Sequence, residues 1–344
     1  MKVRRKKTKC LLISCLLFIL LTLPPHSSFS AEIKKIKIGY AYGLELYQEN
    51  ETIKQTLQAL ESRIAEVEFQ LIPLSPINTI SEIDEQNVDY LIAPSIFLVE
   101  FRGMAPFTHL ATRINANGNN ATKTVGSTII VRNDRDDLKT LKDLRGKKIA
   151  ASSPNSLGGW LAALREIRQR GYDPDNFFSS VYFAQFQTPD VISSVLNGNV
   201  DAGILTTCVL EKVESLGLIE KGILKVIGEE SSAGNDFNCR RSTADLYPDM
   251  SFVALSGASE SLTRQIVITL LSMPPFDGLR WSVDHDQFSI EQLMKDLGLG
   301  PYSYLKDTSL KGLVKRFKNE LLVVIAALLF LIFNELHLRH LVKK

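Results

Sequence analysis

Two stretches of this chain place small hydroxyl residues and glycine directly behind an apolar run, a combination suited to holding an oxyanion on backbone amides. The first follows Asp143-Leu144-Arg145-Gly146-Lys147-Lys148-Ile149-Ala150-Ala151. It reads Ser152-Ser153-Pro154-Asn155-Ser156, then Leu157-Gly158-Gly159-Trp160 opening a helix. The second follows Asn199-Val200-Asp201-Ala202-Gly203-Ile204-Leu205 and reads Thr206-Thr207-Cys208 before a helical run over 209–216. Free N–H groups in a first helical turn together carry about half a positive charge, and glycine lets a guest approach the backbone. Ser153, Asn155, Ser156, Gly158 and Gly159 are therefore candidate anion contacts, with Thr206, Thr207 and Cys208 beside them. Ser95, after Pro94, is the candidate for an opposing wall, and Tyr40 or Tyr42, at the end of a first strand, would close over the guest.

Each assignment has a plainer alternative. Serine and asparagine at a helix start are ordinary caps, and tyrosines serve equally in packing. Cys208 and Cys239 are either a structural disulfide or a redox pair, because a helix start would lend a thiol at Cys208 thiolate character. Arg132, Arg240 and Arg241 are candidates to bring charge to the site, although arginine is mostly solvated. Other chemistry is poorly provided for. Past residue 30 the histidines are His109, His285, His337 and His340, and neither of the first two stands at ligand spacing to another His or Cys. No Gly-x-Ser-x-Gly, paired-carboxylate or Walker pattern occurs, so neither an enzyme, a metal site nor a cofactor is expected.

Length and charge set the frame. A chain of 344 residues, 45% hydrophobic and 23% charged, suffices for two lobes with cores of their own. Lys2, Arg4, Arg5, Lys6, Lys7 and Lys9 precede an apolar run over 10–23, and Ser28-Phe29-Ser30 supplies small residues at signal-peptidase spacing. Residues 1–30 therefore read as an export signal, cleaved or kept as a membrane segment. Leu12-Ile13-Ser14-Cys15 has the look of a lipoprotein cleavage site but sits too early in the apolar run. Setting aside the six basic leader residues turns a formal +2 into −4, since 10–30 carries no charge, and nothing recommends nucleic acid as a partner.

Near the other end, 321–333 is apolar throughout. As a helix it spans only about 20 Å against a bilayer core of about 30 Å, so Lys318 and Arg339 would snorkel while Leu336 and Leu338 contribute. The expectation is a transmembrane helix over 321–338 with a cytoplasmic tail over 339–344. A buried terminal helix is the alternative. Residues 306–320 form a juxtamembrane segment in which Leu310, Leu313, Val314 and Phe317 share one helical face. Lysines on the presumed outer side outnumber the basic residues inside, against the usual bias, yet the basic N-terminus fixes the first segment. The body is thus expected in the periplasm, anchored to the inner membrane.

The elements that position these residues alternate between strand and helix. Strands are expected over 37–42 and 67–74, helices over 50–64 and 80–85, and a third strand over 87–93, which is parallel βαβ architecture. Asn87-Val88-Asp89 and Asn199-Val200-Asp201 echo each other, each leading a strand that ends in a hydroxyl turn, as two related half-modules would. Crossings between lobes are expected at 115–124 and 229–238. Further helices are expected from Leu157 to Gly171, over 188–196 behind Thr188-Pro189-Asp190, over 262–273 and over 290–297. Lobe 1 then comprises 31–124 and 245–305, and lobe 2 comprises 125–244.

Several strings together resemble the PhnD-like phosphonate-binding proteins. They are Asp143 to Lys147 with Gly158-Gly159, Asn197-Gly198 through Gly203 with Leu210-Glu211, and Ser242-Thr243 with Leu246-Tyr247-Pro248. Gly278-Leu279-Arg280-Trp281 and Gly300-Pro301-Tyr302 are similar to the outer sensory domain of tetrathionate-sensor histidine kinases. The resemblance implies an α/β periplasmic-binding-protein fold of the second type, with two lobes, a ligand cleft between them and closure as the output. It implies a small oxyanion ligand, tetrathionate-like or phosphonate-like, and as partner a separately encoded histidine kinase or an ABC permease. Cysteine at 208 and 239 fits the sensor branch. Met250, where the family tends to have tryptophan, and Asp284-His285-Asp286, where it usually has proline, depart from the pattern and bear on the ligand.

Overall fold

A computed structural model describes residues 34–41, 48–65, 67–75, 78–115, 122–229, 239–283, 287–306, 313–314 and 317–342. The chain divides into a unit over Met1–Lys34, of which only Lys34 is described, and a body over Lys35–Lys344. In the body, strands β1 (Lys34–Ala41), β2 (Val67–Leu74), β3 (Tyr90–Pro94), β4 (Phe107–Asn115), β10 (Met250–Leu255) and β11 (Leu279–Ser282) form one sheet in the order β11-β4-β10-β3-β1-β2. Strands β5 (Ser127–Arg132), β6 (Lys148–Ala151), β7 (Ser180–Phe183), β8 (Ala202–Thr206) and β9 (Leu224–Val226) form the other in the order β7-β6-β8-β5-β9. The two sheets share one plan. Each centres on parallel strands, β1 beside β3 and β6 beside both β7 and β8, and each receives one antiparallel strand, β10 or β5, next to the third.

The echoed triplets do the same work in both sheets. The Asp89 carboxylate accepts from the Lys37 N–H at 2.9 Å and the Asp201 carboxylate from the Lys148 N–H at 2.9 Å. The Asp89 and Asp201 N–H groups return bonds to the Lys37 and Lys148 carbonyls at 2.9 and 2.8 Å. Each aspartate thereby fixes where the third strand begins against the first, and with it the register of the sheet. The third strand starts at Tyr90 and not at Asn87, because Asn87 instead ends a helix in left-handed conformation, with φ 51°.

Helices α1 (Gln48–Arg63), α2 (Thr79–Gln86) and α3 (Ser95–Phe101) belong to the first lobe, together with α7 (Glu260–Ser272). Beneath α1 and α7 lies a core that includes Ile38, Tyr40, Ile53, Leu60, Phe252, Ile266 and Trp281. Trp281 donates to Thr56 Oγ1 at 2.9 Å and meets Phe252 edge-on at 5.8 Å, so the Gly278 to Trp281 motif serves packing here. Helices α4 (Ala162–Gln169), α5 (Thr188–Leu196) and α6 (Val209–Ser215) serve the second lobe. Before α4 the chain makes a π-helical turn over Leu157–Leu161, so the helix that the glycines open begins with a widened first turn.

Helix α8 (Phe288–Leu297) crosses this division. Its face of Ile290, Leu293, Met294 and Leu297 packs with Ile96 and Val99 of α3 and with Leu161 and Ile167 of the second lobe in one core. A 3₁₀ segment, Gly300–Leu305, follows, and a last helix, α9 (Lys318–Val342), closes the chain. The apolar side chains of α9 from Leu321 to Phe333 are exposed on every side, so this segment is not a buried terminal helix. Among the described residues no helix is long and apolar enough to cross a membrane.

The crossings lie side by side. Val125 N–H bonds the Tyr247 carbonyl at 3.0 Å and Tyr247 N–H bonds the Val125 carbonyl at 2.8 Å. Residues 242–249 therefore carry the return, and the expected return over 229–238 lies, apart from Glu229, outside the described residues. Hydroxyls fasten the pair. Thr207 donates to the Thr124 carbonyl at 2.7 Å and accepts from Gly126 N–H at 3.2 Å. Ser242 donates to the Ile227 carbonyl at 2.7 Å, while Thr243 accepts from Ser127 N–H at 3.0 Å.

Candidate functional site

A cavity of about 480 Å³ opens between the sheets. Both turns singled out from the sequence reach it. Its second-lobe wall is Asn155, Ser156, Leu157 and Gly158 with Thr206 and Phe186, and its first-lobe wall includes Asn78 to Ser81, Ser95 to Phe97 and Glu100. The crossings supply Val125, Pro248 and Asp249.

Ser156 caps the π turn, its hydroxyl accepting from Gly159 N–H at 3.1 Å, which satisfies one amide and leaves those earlier in the turn without intrahelical acceptors. Gly158 is required by close approach. A Cβ there would lie 2.6 Å from Thr206 Cγ2 and 2.7 Å from the Gly126 carbonyl oxygen, while the Gly158 carbonyl accepts from Ser127 Oγ at 2.5 Å. Gly159 is needed for packing, since a Cβ would meet Ser152 Cβ at 2.6 Å. Across the cavity, Thr79, Ile80 and Ser81 form the first turn of α2, whose N–H groups likewise lack intrahelical acceptors.

Several expected contacts sit elsewhere. Tyr40 is 2% exposed inside the first core, and it is Ala41 of the same strand that lines the cavity. Tyr42 lies outside the described residues. Ser153 is buried behind the wall, where its hydroxyl accepts from Asn155 N–H at 3.4 Å. Ser95 is at the wall, but its hydroxyl bonds the Asp249 carbonyl and Ser251 Oγ. The Thr207 hydroxyl is engaged by the crossing. Cys208 stands at the start of α6 with φ 70° and is bonded to Cys239, so the disulfide is present and no free thiol faces the guest.

The arginines are engaged as well. Arg132 pairs with Asp134 at 3.1 Å, and Arg240 with Glu211 at 2.8 Å and Glu214 at 2.6 Å. Arg241 is buried beside Ser242, away from the cavity wall. Among the described residues lining the cavity none is basic, and two are acidic, Asp249 and Glu100. Asp249 is neutralised by Arg113, whose Nε donates to Oδ2 at 2.7 Å from a side chain 6% exposed. Burial alone pushes the Glu100 carboxyl above its ordinary range. Sequence reasoning missed Glu100 and the α2 start. Glu100 sits in Ser-Ile-Phe-Leu-Val-Glu-Phe, which reads as core, and the expected helix at 80–85 carried no glycine to flag it.

Behind the wall, Arg165 of α4 binds three partners: Asp296 of α8 at 2.7 Å, Asp245 at 2.8 Å and Tyr247 Oη at 2.9 Å on the return crossing. Burial pushes the Tyr247 hydroxyl up to about 12, so it stays protonated through the neutral range.

Comparisons with known proteins agree with this architecture. Tetrathionate sensor histidine kinase TtrS of Salmonella typhimurium is 26% identical over 279 residues, covering 80% of this chain and 46% of that protein. The chain therefore spans about half the length of the curated relative it matches. A binding protein component of an ABC phosphonate transporter from Pseudomonas aeruginosa superposes with a TM-score of 0.61 at 16% identity, over 86% of this chain and 98% of that one. PhnD1 from Prochlorococcus marinus, in complex with methylphosphonate, gives 0.58 at 16% identity, over 77% and 98%. At these identities the likeness establishes the two-lobed α/β binding-protein fold. The family described as ABC transporter, phosphonate, periplasmic substrate-binding protein matches residues 46–295, and the chain belongs to it.

Proposed function

We propose that this protein is a membrane-anchored periplasmic solute-binding sensor, which captures a small oxyanion in the inter-lobe cleft and reports its closure to a partner kinase. The observation that carries the reading is the cavity itself, lined by the amide-rich turn of Ser156 to Gly158 and by the first turn of α2. Fixed amide dipoles suit an oxyanion whose charge is spread over several oxygens. The contacts this reading assigns are Ser95, Asn155, Ser156, Gly158 and Thr206, with Tyr40, Ser153, Gly159, Thr207 and Cys208 off the cavity wall. Likeness to the sensor kinase supports signalling and the tetrathionate class of ligand. Membership of the phosphonate-binding family favours a second reading, a receptor that delivers phosphonate or a related anion to an ABC permease.

Anchoring rests on α9, whose exposed apolar surface would find its solvent in lipid. The apolar part, about 20 Å long, is short for a bilayer and would rely on Lys318 and Arg339 snorkelling toward the headgroups.

The test is thermal denaturation of the full chain in nonionic detergent against tetrathionate, thiosulfate, methylphosphonate and phosphate. At a hundred times its dissociation constant a true ligand adds about 2.7 kcal/mol of stability. A sulfur oxyanion acting alone supports sensing and a phosphonate acting alone supports import. If none moves the transition, oxyanion capture is wrong.

A further inference from the structure

Glu100 is the charged group that the cleft leaves unanswered. Its side chain lines the cavity from the last turn of α3, and no described residue offers its carboxyl a hydrogen bond or an ion pair. On the side away from the cavity, Met294 and Gly300 pack beside it. A Cβ on Gly300 would meet Met294 Cε at 2.6 Å and Glu100 Oε1 at 3.7 Å, so the carboxyl is tucked against the start of the 3₁₀ segment and the end of α8.

The charged groups on the elements packed around it are committed elsewhere. On α8, Glu291 takes Arg102 at 2.7 Å, Asp296 takes Arg165 at 2.7 Å and Lys295 lies 5.1 Å over the Tyr302 ring. Asp249, across the cavity, is held by Arg113, and Glu82 of α2 accepts from Ser75 N–H at 2.7 Å. Lys306, beyond the 3₁₀ segment, pairs with Asp175 at 2.9 Å. Strand β3 contributes no charged side chain.

An anion entering this cleft meets that carboxyl. Ionised, it would repel the guest; protonated, it becomes a donor that joins the Asn78, Asn155 and Ser156 side chains of the wall. We propose that Glu100 is a proton-coupled ligand contact, taking one proton from solvent as the oxyanion binds and donating it as a hydrogen bond to the guest. This rests on the oxyanion reading above and adds its regulation: capture strengthens as the periplasm acidifies. The rise that burial imposes on the Glu100 pKa acts in the same direction.

Titration calorimetry of the full chain in nonionic detergent tests it, using tetrathionate and ethanesulfonate, which stay fully ionised from pH 5 to 8. Bis-Tris and imidazole serve as buffers because they lack oxyanions and differ in ionisation enthalpy. The expected result is uptake approaching one proton per anion bound, with affinity falling by about tenfold per pH unit above the carboxyl's own pKa. Glu100→Gln, checked for folding by its thermal transition, should bind equally at pH 6 and pH 8 without uptake. Proton uptake by the unaltered chain tests the proposal even if that variant fails to fold. Anion binding without uptake and independent of pH would overturn the coupling while leaving oxyanion capture intact. Taurine binding more tightly than ethanesulfonate, with the advantage lost in Glu100→Gln, would overturn it too, since the carboxylate would then be pairing with a cation. If neither anion binds at any pH, oxyanion capture itself fails and the coupling with it.

Discussion

Gly158 shows how little room the cradle has. With Thr206 and the Gly126 carbonyl both inside contact distance of any Cβ, Gly158→Ala has to push the turn into the cavity or away from the crossing. Overpacking of this kind costs about 1–3 kcal/mol, so urea unfolding of the variant should shift by that amount while the thermal response to anions disappears. Ser156→Ala is milder. It removes a cap worth about 1 kcal/mol and leaves the cavity open, so anion binding should weaken without vanishing. Glu100 acts on stability with a definite sign. Its folded pKa is raised, so the folded state holds the proton more readily and stability falls as pH rises from the ordinary carboxyl range through the raised value. Glu100→Gln should therefore gain thermal stability at pH 8 relative to the unaltered chain and gain nothing at pH 4, as paired melts would show.

At the scale of elements, two fasteners stand out. The Cys208 to Cys239 bond closes a loop with a sequence separation of 31 residues within the second lobe, from the α6 start to the stretch that precedes the return crossing. Loop entropy puts its contribution at about 3–4 kcal/mol, so Cys208→Ser with Cys239→Ser should lower the urea midpoint accordingly, and dithiothreitol should do the same to the unaltered chain and nothing further to the variant. Arg165 is the other fastener. It ties α4, which continues the cleft turn, to α8 and to the return crossing, and its partners are partly exposed, so Arg165→Ala should cost about 1–2 kcal/mol in urea unfolding. The echoed aspartates act at this scale as well. Burial opposes the charge on Asp201, but the Lys148 N–H and the Arg135 guanidinium outweigh it and hold the carboxyl below its usual range. The stability it provides is complete above the unfolded carboxyl pKa and is lost as pH falls through the lowered one.

For the molecule as a whole, whether α9 enters lipid decides whether the anchored form of the proposal holds. The cleft turn leads into α4, Arg165 joins α4 to α8, and α8 is followed by the 3₁₀ segment Gly300–Leu305. If α9 inserts into lipid, a chain from Ala31 to Lys344 should enter the detergent phase in Triton X-114 partitioning, and a chain from Ala31 to Lys306 should remain in the aqueous phase. Recovery of the longer chain in the aqueous phase would remove the C-terminal anchor from the proposal.

The alternation of apolar strands with amphipathic helices, the hydroxyl and glycine turns behind two of those strands, and the repeated Asn-Val-Asp triplet are local patterns. Local patterns dictate local structure, so the sequence alone placed most elements within a few residues of where they lie and identified Ser156, Gly158 and Thr206 as neighbours of one cavity. It could not separate hydroxyls that face a guest from hydroxyls that fasten a crossing. Thr206 and Thr207 differ by one position, and only the sheet decides which side chain points inward. Nor could it find Glu100, because a carboxyl within an apolar heptapeptide acquires meaning only when distant segments, the α8 end and Gly300, fold against it and bring it to the cavity wall.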